Sequence, residues 1–164
     1  MASHILNIED LEFNDWGHGD KYQARIAWAG TVMGSNKLGF NVTELPPGKR
    51  AFPCHSHATN EELFFILEGN GEVRIGSEWH TVRQGDFINF PPGRATPHQI
   101  RNSSAASLRF IAISTMIVPE VTEYPDSGKY GVFAGTPTAR QVTEDTVRKI
   151  YKMDGDVSYW EGEE

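Results

Sequence analysis

From Ala24 to Ile117 turn signals recur so often that long helices have no room to form. Between the turns lie short runs of β-branched, aliphatic and aromatic residues, the pattern of a many-stranded β protein. The runs are Ala24–Val32, Leu38–Leu45, Phe52–His57, Glu62–Leu67, Glu72–Ile75, Trp79–Val82, Phe87–Phe90, His98–Arg101 and Leu108–Ile117. Pro46-Pro47-Gly48 and Pro91-Pro92-Gly93 end two of them, because proline cannot donate to a ladder. Gly69-Asn70-Gly71 predicts a tight turn, with Glu72–Ile75 as its returning strand. Gly48, Gly69, Gly85 and Gly93 fall at turns where positive φ is expected. So many short strands predict an all-β sandwich or barrel.

Strand Glu62–Leu67 lacks a polar face. Glu62, Phe64 and Ile66 alternate with Leu63, Phe65 and Leu67, so both faces are apolar apart from Glu62. One face can fill a barrel. The other needs a cover, either a flanking sheet from this chain or a second subunit, and a homodimer is expected. Outside the strands, residues 1–23 read as an arm with a short strand near Ile5–Ile8. The chain turns Pro- and Gly-rich after Pro119, and Gln141–Lys152 fits a short helix or an edge strand. With 164 residues and no linker, one domain spanning 1–164 is expected, its core at about 24–117 and a C-terminal extension at 118–164.

Charge narrows the partners. Fifteen basic residues against 22 acidic ones give a formal net charge of −7. Such a chain lacks the electrostatic footprint for nucleic acid or an anionic membrane. Part of the acidity is the solvated tail Trp160-Glu161-Gly162-Glu163-Glu164. No apolar run approaches the ~18–20 residues of a membrane helix. Met1–Asn7 lacks the basic start of a signal peptide. A cytoplasmic protein is expected, and its single cysteine, Cys54, can form no intrachain disulfide.

Three histidines and a glutamate carry the chemistry. His55 and His57 stand two residues apart on a predicted strand, so both imidazoles leave one face, ~6–7 Å apart at Cβ. Glu62 starts the neighbouring strand, with Glu61 beside it as a competitor. His98 arrives from elsewhere, 41 residues beyond His57. Three imidazoles and a carboxylate make a nitrogen/oxygen site suited to Fe(II), Mn(II), Ni(II), Co(II) or Zn(II). Four protein ligands leave up to two positions open on an octahedral ion, as a catalytic metal requires. His4, His18 and His80 read as surface residues. Alternation turns Cys54 away from His55, as a small core residue.

These residues fall in two blocks. One runs Gly48…His55-Ser56-His57…Glu62…Gly69. The other runs Gly85…Pro91-Pro92-Gly93…His98…Asn102. The blocks resemble the two motifs of the cupin superfamily, each with a slightly lengthened spacing: between Gly48 and His55 in the first, and across the Arg94–Pro97 loop in the second. The resemblance implies a cupin double-stranded β-helix, a jelly-roll-like barrel, with a divalent metal on His55, His57, Glu62 and His98. The motif spacing from Glu62 to Gly69 selects Glu62 over Glu61. The flanks Leu45–Pro53 and Pro119–Lys129 look like a group of small single-domain bacterial cupins labelled sugar-phosphate-isomerase-like.

That resemblance leads to an isomerase or epimerase acting on a small polar substrate, such as a sugar phosphate. Arg94, in the loop before His98, is the candidate for gripping a substrate phosphate or carboxylate. The alternatives are an Fe(II)-dependent dioxygenase and a non-catalytic module that binds a small ligand or a metal. The proton-transfer residue is not legible.

Overall fold

The computed structural model describes residues 4–135 and 146–163. Thirteen strands are present among them: β1 (Asn14–His18), β2 (Tyr22–Ala27), β3 (Leu38–Leu45), β4 (Ser56–His57), β5 (Glu62–Glu68), β6 (Asn70–Ile75), β7 (Glu78–Arg83), β8 (Phe87–Phe90), β9 (His98–Arg101), β10 (Leu108–Thr115), β11 (Glu120–Tyr124), β12 (Lys129–Ala134) and β13 (Val147–Lys152). All named pairings are antiparallel. One wall is a six-stranded sheet ordered β1-β2-β3-β10-β5-β8. The facing wall is made of two pieces, β7-β6-β9 and β4-β11-β12-β13. The segment His55–His57 joins them. His55 bridges to His98 at the edge of β9, and His57 pairs with Thr122 of β11. The result is the expected all-β, jelly-roll-like double-stranded β-helix.

Several expectations are corrected. Glu72–Ile75 lies in β6, but β6 does not return along β5; it pairs with β7 and β9. Gly69-Asn70-Gly71 therefore carries the chain from one wall to the other. Gly69 is required there: its φ is +84°, and a Cβ would lie 2.4 Å from the Ser107 carbonyl oxygen. The predicted strand Ala24–Val32 stops at Ala27, and one helical turn, α1 (Ala29–Val32), follows. Its small residues let it lie on β3, since a Cβ on Gly30 would already be 3.0 Å from the Phe40 nitrogen. Phe52–His57 is laddered only at Ser56–His57, Pro53 having no N–H to give. The arm holds a short 3-10 helix at Ile8–Asp10, not a strand, because the Asn7 side chain accepts from the Glu9 N–H and caps it. Of Gln141–Lys152, residues 147–152 form edge strand β13, and 141–145 lie outside the described residues. No described helix is long and apolar enough to cross a membrane.

The barrel interior is filled at one end only. Phe64, Phe90 and Phe110 pack at centroid distances of 5.0–5.2 Å, within a cluster that includes Leu45, Ile66, Ile100 and Leu108. Inward residues shrink toward the other end. Along β3 they run Leu45, Thr43, Asn41, Gly39, and along the antiparallel β10 they run Leu108, Phe110, Ala112, Ser114. Small side chains cannot meet across the barrel, so a chamber of about 290 Å³ remains. On the outside of the same wall, Phe87 is 71% exposed and packs on Phe65, ring centroids 4.5 Å apart.

Candidate metal centre

Each of the four side chains is placed by a different local cause. His55 and His98 sit directly opposite one another, exchanging N–H···O bonds of 3.0 and 2.7 Å, so their rings share a face with centroids 4.6 Å apart. His57, two residues on, returns to that face. Glu62 comes from β5 on the opposite wall, not from the strand beside His57. Its inward position follows from the alternation that also buries Phe64 and Ile66. Phe90 stacks on the His98 ring at 3.8 Å and 14°, fixing its plane.

The ring nitrogens divide cleanly. Nδ1 of His55 lies 2.8 Å from the Pro53 carbonyl oxygen, and Nδ1 of His98 lies 3.2 Å from that of Thr96. A carbonyl only accepts, so both Nδ1 atoms carry hydrogen and Nε2 is the ring atom each histidine turns inward, that of His98 within hydrogen-bond distance of Glu62. Nε2 of His55, His57 and His98 stand 3.7, 3.5 and 2.9 Å from Glu62 Oε2. All four ligand atoms lie within 4.8 Å of one another. Two atoms bound ~2.1 Å from one ion on opposite sides are ~4.2 Å apart, so the set closes to nearly the size of one coordination shell. Both ring nitrogens of His57 are buried with no partner in hydrogen-bond geometry, and a cation bound at Nε2 would satisfy the inward one. The residues fit a divalent metal.

Glu120 is a candidate site residue that sequence reasoning missed. It lies in β11, inside the predicted extension, and is 5% exposed. Its carboxylate accepts from the backbone N–H groups of Ala58, Thr59 and Asn60 and from the Asn60 side chain. These bonds shape the turn between His57 and Glu62. Oε1 also stands 3.5 Å from His57 Nδ1, a charge contact too long and poorly aligned to count as a hydrogen bond. The pattern of a ligating imidazole backed by a carboxylate holds the tautomer and raises ligand basicity.

Charge in the metal-free site follows from this crowding. Burial pulls the His57 pKa down, but Glu120 and Glu62 outweigh it and push it up to about 9. Burial lowers His98. Burial opposes ionisation of Glu62, yet His55, His57 and His98 hold its pKa well below the usual carboxylate range. Burial raises Tyr124, whose ring lies 6.1 Å from that of His55.

The chamber opens directly onto this centre. Phe40, Phe64, Ile113, Met116, Ile117 and Val118 form its apolar side, and Asn41, Ser114, Thr122 and Tyr124 supply hydroxyl and amide groups. The other sequence candidates lie elsewhere. Arg94 is not among the residues lining the chamber; its guanidinium forms two hydrogen bonds to the Glu123 carboxylate on the surface. Glu61 accepts from Asn89 on the outer face of the sheet. Cys54 is buried on the side away from His55. The motif residue Asn102 is structural: buried, it donates to the Leu45 and Ala106 carbonyls and accepts from Ser104.

Fold and site together define a small β-barrel protein with a three-histidine, one-glutamate cluster at the floor of an internal chamber. The cupin domain family model matches residues 41–114. The fold extends beyond that match. A candidate sugar phosphate isomerase of Acidithiobacillus ferrooxidans superposes with a TM-score of 0.80 over 94% of this chain and 95% of that one, at 19% identity. A cupin-superfamily sugar phosphate isomerase of Silicibacter pomeroyi gives 0.74 over 94% and 97%, at 20% identity. An uncharacterised protein of Methanocaldococcus jannaschii is 37% identical over 70 residues, 43% of this chain and 54% of that one. The match thus spans about half the length of that relative.

Proposed function

We propose that the protein is a metal-dependent enzyme of the isomerase or epimerase type, acting on a small polar substrate that enters the chamber. The observation that carries this is the convergence of His55, His57, Glu62 and His98 at the floor of a chamber that also holds a half-buried phenol, Tyr124. A divalent cation bound there would polarise a carbonyl or hydroxyl of the substrate. The chain's own residues do the rest. Tyr124 offers a protonatable hydroxyl, held neutral by burial, to give or take a proton beside the reacting carbon. Ser114 and Asn41 hydrogen-bond the substrate, and the apolar side excludes water. The sugar phosphate isomerase names of the two long structural matches agree with this reading. Arg94 could reach a substrate only by leaving Glu123.

The test is turnover of aldose and ketose phosphates by the metal-loaded protein. Loss of activity is expected in Tyr124→Phe with metal content unchanged. No turnover of any of them would remove the reading. A second reading, an Fe(II)-dependent dioxygenase, is favoured by the apolar side of the chamber. Oxygen uptake that follows iron content would select it. The same proposal includes a homodimer in the cytoplasm, with a second copy covering Phe65 and Phe87. A monomeric sedimentation coefficient would refute the dimer.

A further inference from the structure

The facing wall continues past the metal centre as β11, β12 and β13, and its register fixes which side chains share the inner face. His57 pairs with Thr122, Thr122 with Gly131, and Gly131 with Ile150. One step along, Tyr124 pairs with Lys129 and Lys129 with Lys152; in the other direction, Glu120 pairs with Phe133 and Phe133 with Arg148. Directly opposite residues lie on one face. Moving outward from the metal centre, this face passes from imidazole to hydroxyls and then to three cations.

The cations are set beside the chamber. The Lys129 ammonium lies 5.7 Å from the Tyr124 ring centroid, and the Arg148 guanidinium 5.7 Å from that of Phe133. Tyr124 and Phe133 both line the chamber. Lys129 and Ile150 line an adjoining recess that shares Phe52, His55 and Tyr124 with it. No carboxylate pairs with Lys129, Arg148 or Lys152 among the described residues. Lys129 and Lys152 are directly opposite each other, an arrangement that costs stability unless an anion lies between or beside them. In a chain of net charge −7 such a face needs a cause.

We infer that the inner face of β12 and β13 is the subsite for an oxyanion, a phosphate or carboxylate, at the far end of the substrate. Lys129 and Arg148 bind it while the other end reaches the metal centre. Strands are spaced ~4.8 Å, so β12 and β13 lie ~10–14 Å from β4. Long Lys and Arg side chains shorten that span to the length of a small phosphorylated or carboxylated sugar. The assignment rests on the enzyme reading above and narrows its substrate to an anion.

The test is calorimetric titration of the full chain with inorganic phosphate, in metal-free and metal-loaded forms. Both forms are expected to bind phosphate. Lys129→Gln and Arg148→Gln are each expected to weaken binding about tenfold, the loss of one charge-assisted contact. Lys149→Gln, on the outer face of β13, leaves it unchanged, and metal content stays constant throughout. Phosphate that binds only the metal-loaded form, or binds the double variant as tightly as the parent, overturns the subsite. Phosphate binding that depends on Lys129 in a protein unable to retain any metal keeps the subsite and overturns the enzyme reading instead. Acetate titrated in parallel decides between carboxylate and phosphate.

Discussion

Replacing Glu120 with Gln tests the reasoning about the site most directly, because it changes one atom's chemistry without changing shape. Five polar groups face that carboxylate: the N–H groups of Ala58, Thr59 and Asn60, the Asn60 amide and His57 Nδ1. Two ionised oxygens can serve all of them. An amide has one acceptor oxygen and an NH₂ that only donates. If the oxygen stays with Thr59 and Asn60, the NH₂ confronts both Ala58 N–H and His57 Nδ1. Ala58 then loses its acceptor, at about 1–3 kcal/mol. His57 Nδ1 must accept, which moves its hydrogen to Nε2 and removes the inward lone pair. A supporting residue of this kind is worth ~10–100-fold in metal affinity, or about 1.4–2.7 kcal/mol. Competition with a chromophoric chelator measures the affinity, and thermal melting of the metal-free protein measures the stability. Glu120→Gln with parental affinity would refute the tautomer argument. A large loss of stability with no loss of affinity would reduce Glu120 to a turn-shaping residue.

Other outcomes follow from the same geometry. His57→Ala should release the metal and leave the far-ultraviolet circular dichroism unchanged, since the Phe64–Phe110 core lies beyond it; a full metal equivalent in that variant would refute the ligand set. Metal binding needs neutral His57, whose pKa is about 9 in the metal-free site, so apparent affinity should rise about tenfold per pH unit up to that point. A flat profile from neutral pH to pH 9 would contradict it. The metal-free fold should respond in the opposite sense. A histidine raised in the folded state contributes stability that is complete below its unfolded value of 6.5 and lost as pH rises through about 9, so melting temperature should fall over that window. Ala112→Leu should fill the chamber and abolish small-ligand binding while metal content is kept, at no more than ~1–3 kcal/mol of overpacking; undiminished ligand binding would place the substrate elsewhere.

The strands that carry the site were legible because hydrophobic runs and turn residues agree there. Leu38–Leu45, Phe87–Phe90 and His98–Arg101 have the same bounds in sequence and structure. The four converging side chains were legible from spacing. Pairing was not. Nothing local to Glu62 says that it faces His57 from the opposite wall, because the crossing depends on Gly69 and on β6 choosing β9. Glu120, Tyr124 and the cations of β12 and β13 were hidden for a compositional reason. Pro119, Pro125 and Gly128 punctuate that stretch so heavily that its short, partly polar strands did not stand out. Each becomes part of the site only through long-range pairing with His57. Thr122, opposite His57 yet polar and buried, is the kind of signal that could have found them.

The join at His55–His57 has a mechanical consequence. Two pieces of one wall are held together by a few backbone bonds across a segment only three residues long, with Glu62 reaching over from the other wall. A cation bound by residues from both sides of that gap would work as a rivet. Stripping it with a chelator should therefore loosen the barrel along one line, and the amides of His55, Ala58 and His98 should exchange with solvent sooner than those of β3 and β10.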